Sequence, residues 1–241
     1  YTDEIIRNTT TSGTVYKDMN GKKYAENISQ LALANVDFDM QNRHHISYNL
    51  MMIHANTQSV GDYNGKNSIF SDDYENLGFT RRQQTNDNML IVNQLMTNWG
   101  LTKSLSLDAG ASYNMVKGYE PDRRINNLTK AEDGYTLLRG NSQQRYFSTL
   151  DEDDLNVKAG LVYRLKDNIE EISNVRFGYT GRFVDDNFKA TEYNLTVGHV
   201  ATIPSLDDFS LDDYYNQENF ASDWFKIQKN LDEYTVKKNI H

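Results

Sequence analysis

Ser104-Leu-Ser-Leu-Asp-Ala-Gly-Ala-Ser-Tyr-Asn-Met-Val-Lys-Gly118 is the stretch on which the fold turns. Side chains on a strand alternate between faces with period two. Leu105, Leu107, Ala109, Ala111, Tyr113 and Met115 therefore share one face, and Ser106, Asp108, Gly110, Ser112 and Asn114 share the other. The pattern recurs at 154–166, where Leu155, Val157, Ala159, Leu161, Tyr163 and Leu165 alternate with Asn156, Lys158, Gly160, Val162 and Arg164. A half-buried soluble sheet has this form, and so does a membrane β-barrel strand with lipid on one side and water on the other.

Four more segments predict strands: 28–40, 45–58, 87–99 and 174–186. In the first, Ala32, Ala34, Val36, Phe38 and Met40 line one face; in the second, Ile46, Tyr48, Leu50 and Met52 do so. In the last, Val175, Phe177, Tyr179 and Phe183 oppose Arg176, Gly178, Thr180 and Arg182. The facing of 87–99 is left open by the continuous apolar run Met89 to Val92. Short polar turns join the strands in pairs at 41–44, 100–103 and 167–173, and the segments 59–86, 118–153 and 187–241 read as long loops. Short turns alternating with long loops match outer-membrane barrels, with short periplasmic turns and long extracellular loops. Phe38, Tyr48, Trp99, Tyr163 and Phe177 all lie near the short turns, where an interfacial aromatic girdle is expected.

Bulk properties narrow the classes. The 241 residues are 38% hydrophobic with a net charge of −9, and mean hydropathy is −0.74. No stretch approaches the roughly 18–20 apolar residues of a spanning helix, a test that a barrel escapes. Two prolines and 16 tyrosines suit long strands with one wet end. The acidic balance argues against nucleic acid as a partner, and the lack of cysteine rules out disulfides and thiolate metal sites. The start at Tyr1-Thr-Asp-Glu reads as a piece of a longer protein. Six strands fall short of the about eight needed to close a barrel around side chains.

Arg81-Arg-Gln-Gln84, Val92-Asn-Gln-Leu95, Leu105 to Gly110, Pro121-Asp-Arg-Arg124, Arg145-Tyr-Phe-Ser148 and Tyr179-Thr-Gly-Arg182 follow one another in an order that resembles TonB-dependent outer-membrane receptors of the Bacteroidetes type. The resemblance covers roughly 30–195 and implies part of a barrel of about 22 strands. It implies an all-β antiparallel transmembrane segment, residues 1–241 forming part of the barrel domain with the plug and remaining strands elsewhere. It also implies TonB-dependent uptake of a bulky nutrient such as a siderophore, glycan or peptide. The expected location is the cell outer membrane, with lipid, the protein's own plug, the TonB complex and a surface lipoprotein as partners. A soluble sandwich that binds surface glycans and a passive porin are the alternatives.

No enzymatic constellation appears: there is no Gly-x-Ser-x-Gly, His-Glu-x-x-His or phosphate loop. His44 and His45 are consecutive and point apart on a strand, so no metal or other cofactor is expected. Acidic clusters at 72–73, 151–154, 207–208 and 212–213 lack calcium-loop spacing and read as solvated faces. Arg123, Arg124 and Tyr119 are candidate substrate contacts at a loop mouth, and Tyr214, Tyr215 and Trp224 in the acidic, aromatic segment 205–233 are others. Ser210 is placed to cap a short helix there. Packing of those aromatics against each other is the alternative. Lys158, Arg164, Arg176 and Arg182 form a predicted lumen-facing basic stripe, directed to carboxylates of the plug or to an anionic substrate.

Overall fold

The computed structural model describes residues 1–40, 43–168, 171–199, 202–206 and 211–240. Gln41, Asn42, Ile169, Glu170, the Asp207-Asp208 pair, Phe209, the Ser210 cap and His241 lie outside the described residues. Strands take up 81% of the described residues and helices 5%, so the fold is all-β. The elements are β1 (Thr2–Thr9), β2 (Val15–Met40), β3 (His44–Asn67), β4 (Leu77–Gly100), β5 (Leu105–Ala131), β6 (Gly134–Leu137), β7 (Gly140–Asn168), β8 (Glu171–Val197), β9 (Thr202–Ile203), α1 (Leu211–Tyr214), α2 (Gln217–Ala221) and β10 (Phe225–Ile240).

All strands belong to one antiparallel sheet in the order β1-β2-β3-β4-β5-β7-β8-β10, with β6 on β5 and β9 on β6. The sheet is open and does not close as a barrel. The six predicted strands are the lower parts of β2, β3, β4, β5, β7 and β8, where "lower" denotes the end of the tight turns. The expected long loops are corrected. Most of 59–86 and 118–153, and much of 187–241, continues the same strands, so each of these six is 24 to 29 residues long. β1 and the upper part of β2 were not foreseen. Their sequence, rich in Lys, Asn and Thr, lacks apolar alternation.

Direct partners in an antiparallel pair share a face, so register decides what the alternation builds. Tyr48 pairs with Val36 and Leu95, Leu95 with Ala111, Ala111 with Val157 and Val157 with Gly181. One step toward the turns, Phe38, Ile46, Thr97, Ala109, Ala159 and Tyr179 form the next row. The apolar halves of all six strands therefore merge into one face. The same ladder assigns Leu95, Thr97 and Trp99 of β4 to that face, which answers the question left open by the run Met89 to Val92.

Among the described residues, the clusters of buried apolar side chains lie at the upper end. On the apolar-face side Phe79, Leu128, Leu137, Leu195, Val197, Ile203, Tyr214 and Phe225 form a buried cluster. On the polar-face side Met19, Tyr63 and Phe70 form a smaller one. Tyr63 donates its hydroxyl hydrogen to Glu4 Oε2 over 2.6 Å, tying β1 across β2 to β3. Asn216 caps α2 by accepting from the Asn219 backbone N–H at 2.8 Å. Truncating Leu128, which is 0% exposed, to alanine is expected to cost about 2–5 kcal/mol through lost burial and a residual cavity. The exposed Leu33, changed in the same way, should cost far less, and urea unfolding followed by tryptophan fluorescence compares the two.

Candidate functional site

The polar face of the sheet holds a cleft of about 520 Å³ bordered by β4, β5, β7 and β8. Gln94, Ser112, Asn156, Lys158, Thr180 and Arg182 line it. Each stands at an alternate position of its strand, which is why hydroxyls, amides and cations collect on one surface. Gly110 sits directly opposite Lys158. A Cβ there would come 2.9 Å from Lys158 Cε, so the glycine gives the lysine stem room to lie across the strand.

The charges are tied into the sheet but remain at its surface. Arg182 donates from Nε and Nη2 to the two carboxylate oxygens of Asp154, each over 3.1 Å. Asn156 donates to the same carboxylate at 3.0 Å. Lys158 Nζ lies 3.8 Å from Asp108. Lys158, Arg164, Arg176 and Arg182 do share this face. They are strung along the strands rather than clustered: Lys158 and Arg182 line the cleft, while Arg164 and Arg176 sit lower, near the turns.

The other sequence candidates fall elsewhere. There is no loop mouth at Arg123 and Arg124, because both lie within β5 beside a register shift at Pro121. The Arg123 guanidinium stacks 4.1 Å from the Tyr146 ring and lies 3.6 Å from Glu120. Arg124 and Arg145 both donate to Asp122, each over 2.6 Å. Tyr119 is exposed but stands on the apolar-face side, in line with Met115 and opposite to the basic stripe. Tyr214 is 4% exposed and donates to the His199 carbonyl at 2.6 Å. Tyr215 and Trp224 pack against the same cluster. Burial, with Tyr214 beside it, pushes the Tyr215 hydroxyl well above its ordinary range. Tyr215 and Trp224 both pack their rings against Tyr214, at centroid distances of 5.0 and 6.0 Å.

One feature of this face was missed. Leu31, Leu33, Ile53, Leu90, Val92 and Val116 stand on the polar face of β2 to β5, just above the cleft. Leu31 and Leu33 are 62% and 68% exposed. The signal was present in the two longest apolar runs, 50–53 and 89–92, which place hydrophobic side chains on both faces at once. Along the same rows, β7 and β8 carry Glu152 and Asp186 as direct cross-strand partners. Among the described residues no three His, Asp or Glu side chains stand close enough to hold a metal ion.

No family model, curated protein or solved structure matches this chain. What the site does is therefore argued from its geometry.

Burial works against the charge on Asp122, but hydrogen bonds from Arg145 and Arg124 outweigh it and hold the carboxyl below its ordinary value of 3.8. A carboxyl with a lowered folded pKa stabilises above its unfolded pKa, and that contribution is lost as pH falls through the folded value. The stability difference between the native protein and Asp122→Asn should be constant at neutral pH and shrink below about pH 4. Urea midpoints measured from pH 7 to pH 3 check this.

Proposed function

We propose that this chain is part of the barrel of a TonB-dependent outer-membrane receptor, with its apolar face toward lipid and its polar face toward the lumen. The observation that carries this reading is the bare apolar face. Val36, Phe38, Leu95, Tyr163, Val175 and Phe177 on it are between 50% and 81% exposed. In water such a surface would be covered or would drive association.

Its dimensions suit a bilayer. The apolar rows run from Leu105 to Met115, about 33 Å along the strand. At the roughly 40° tilt of membrane barrels that is about 25 Å of height, the thickness of an outer-membrane apolar band. Trp99, Tyr163 and Phe177 stand on this face toward the tight turns, as an interfacial girdle would, whereas Phe38 and Tyr48, also expected there, share the rows of Ala109 and Ala111 nearer the middle of the band. Trp99 stacks on His44 with ring centroids 4.1 Å apart. Above the band the face turns polar, with His54 Nε2 2.6 Å from Asp87 and Lys117 4.0 Å from Asp151.

Among the described residues, six strands cross the band. β1 pairs with β2 no lower than Lys23, and β10 reaches no lower than Val184 on β8. Lipid offers no partner to a free backbone edge, so on this reading further strands flank β2 and β8. The receptor performs no chemistry. It takes up a bulky nutrient using energy delivered by the TonB complex, with its plug and a surface lipoprotein as partners. A soluble sandwich would need a second sheet over the apolar face, and among the described residues none lies there.

On this reading a charge is most harmful at mid-band. Ala111 and Val157 lie near the middle of the band, whereas Leu107 and Leu161 lie nearer its lower edge. Ala111→Arg or Val157→Arg should cost about 2–4 kcal/mol of folding stability in lipid vesicles, Leu107→Arg and Leu161→Arg less, and Ser112→Arg on the opposite face little. Equal costs for all five, or a receptor that folds as a detergent-independent monomer, would remove the membrane assignment.

A further inference from the structure

We propose that a hollow on the apolar-face side, directly above the lipid band, binds the neutral sugar headgroup of a membrane glycolipid. The proposal rests on the barrel reading and names a lipid partner for the outer surface.

The upper limit of the apolar face follows an oblique line. Going up each strand on that face, the first Asp, Glu, Lys or His is Asp185 on β8, Asp153 on β7, Lys117 on β5, Asp87 on β4, His54 on β3 and Glu26 on β2. Asp185 and Asp153 stand level with Met115, Lys117 and His54 share the next level, and Asp87 stands level with Tyr119. Glu26 is level with Thr85, one alternate position above Asp87. The limit thus climbs about 20 Å across five strand spacings, or about 24 Å, which sets the strands about 40° from the normal to that line. Strands of membrane barrels have this tilt, so the line marks the plane where acyl chains give way to headgroups.

Above Glu26 opens a hollow of about 580 Å³, lined by Asp3 of β1, Asn20, Lys22 and Tyr24 of β2, and Asp62 and Asn64 of β3. The register sets all six on the apolar-face side. Tyr24 is two positions above Glu26 and Asn20 six, so at this tilt they lie about 5 and 15 Å above the line. The headgroup layer of an ordinary phospholipid is about 5–8 Å deep. Such a headgroup ends where the hollow begins, whereas one lengthened by sugars fills it.

The lining has the chemistry of a sugar site. Tyr24 is 52% exposed and offers its ring to the C–H side of a pyranose. Asn20 and Asn64 are exposed direct partners, and among the described residues no side chain ties down either amide. Each amide both donates and accepts, as sugar hydroxyls do. Arg81 holds the two Asp62 oxygens over 2.7 and 2.8 Å, which fixes their remaining lone pairs as acceptors. The charges cancel locally, Asp62 on Arg81 and Asp3 across from Lys22. No surplus cation is left for a phosphate, so a neutral sugar fits better.

The test uses the full-length receptor in detergent, native mass spectrometry, and three lipids with the same acyl chains: digalactosyl diacylglycerol, phosphatidylcholine and phosphatidylglycerol. The native receptor should hold the digalactosyl lipid at least about fivefold more tightly than either phospholipid, the effect of one or two hydrogen bonds. In N20A/N64A and in Y24A this preference should fall, with phospholipid binding unchanged. Free digalactose should bind far more weakly than the lipid, because it has no acyl chains to cover the apolar face. Equal affinity of the native receptor for the three lipids would overturn the proposal. So would a preference undiminished in N20A/N64A, or free digalactose binding as tightly as the lipid. The native-receptor comparisons stand even if a variant does not fold. Failure of the membrane reading is seen separately, in whether the receptor needs detergent at all.

Discussion

Every strand from β2 to β8 on the main path is hydrogen-bonded to its neighbours in a register that stacks like on like. That ladder is the constraint on which the rest depends. A slip of one residue between β4 and β5 would turn Leu95 and Trp99 away from Ala111 and Leu107, mixing the two surfaces. The tight turns hold the register: Gly100 donates to the Arg43 carbonyl at 2.9 Å, and the Leu101 and Thr102 N–H groups converge on the Leu105 carbonyl at 2.9 and 3.0 Å. Local hydrogen bonding at the turns thus decides which solvent each of several dozen side chains meets.

The two ends of the sheet are stabilised in different ways. At the upper end, side chains and short elements fold over both faces, burying Leu128 and Met19 completely and tying cations to carboxylates, as Arg81 is tied to Asp62 at 2.7 Å. At the lower end no cluster of buried side chains covers either face among the described residues, and the strands are held by backbone pairing with apolar surface left open. A sheet that builds its own core where its composition is polar, and none where it is apolar, has the distribution expected when water surrounds one half and lipid the other.

Alternation was legible in the sequence because it is local: the facings of 104–118, 154–166 and 174–186, and the sharing of one face by the four cations, needed only period two. What was not legible depended on partners. The continuation of β3, β4, β5 and β7 past the apolar segments looks like loop in sequence, since residues such as Gln83, Gln84, Thr85 and Asn86 have no apolar face to betray a strand. They are held by ladder bonds to β3. The placement of Arg124 beside Arg145 on a common Asp122, and of Glu152 against Asp186, likewise follows from cross-strand register, which no single segment reveals. Tyr214 and Trp224 have the composition of a binding surface, and only the packing of α1, β9 and β10 around them shows that Tyr214 is interior and Trp224 half-buried against it.

The acidic run 151–154 joins these points. On the apolar-face side Asp153 accepts from the Tyr113 hydroxyl at 2.7 Å and stands opposite Asp185. On the polar-face side, Asp154 is held by Arg182 and Glu152 faces Asp186. At the same height β2 to β4 are apolar on both faces. The sheet therefore changes character sideways as well as vertically, from hydrophobic on both sides at β2 to carboxylate on both sides at β8. Repulsion between opposed carboxylates costs stability that a solvated lysine at any of these positions would relieve.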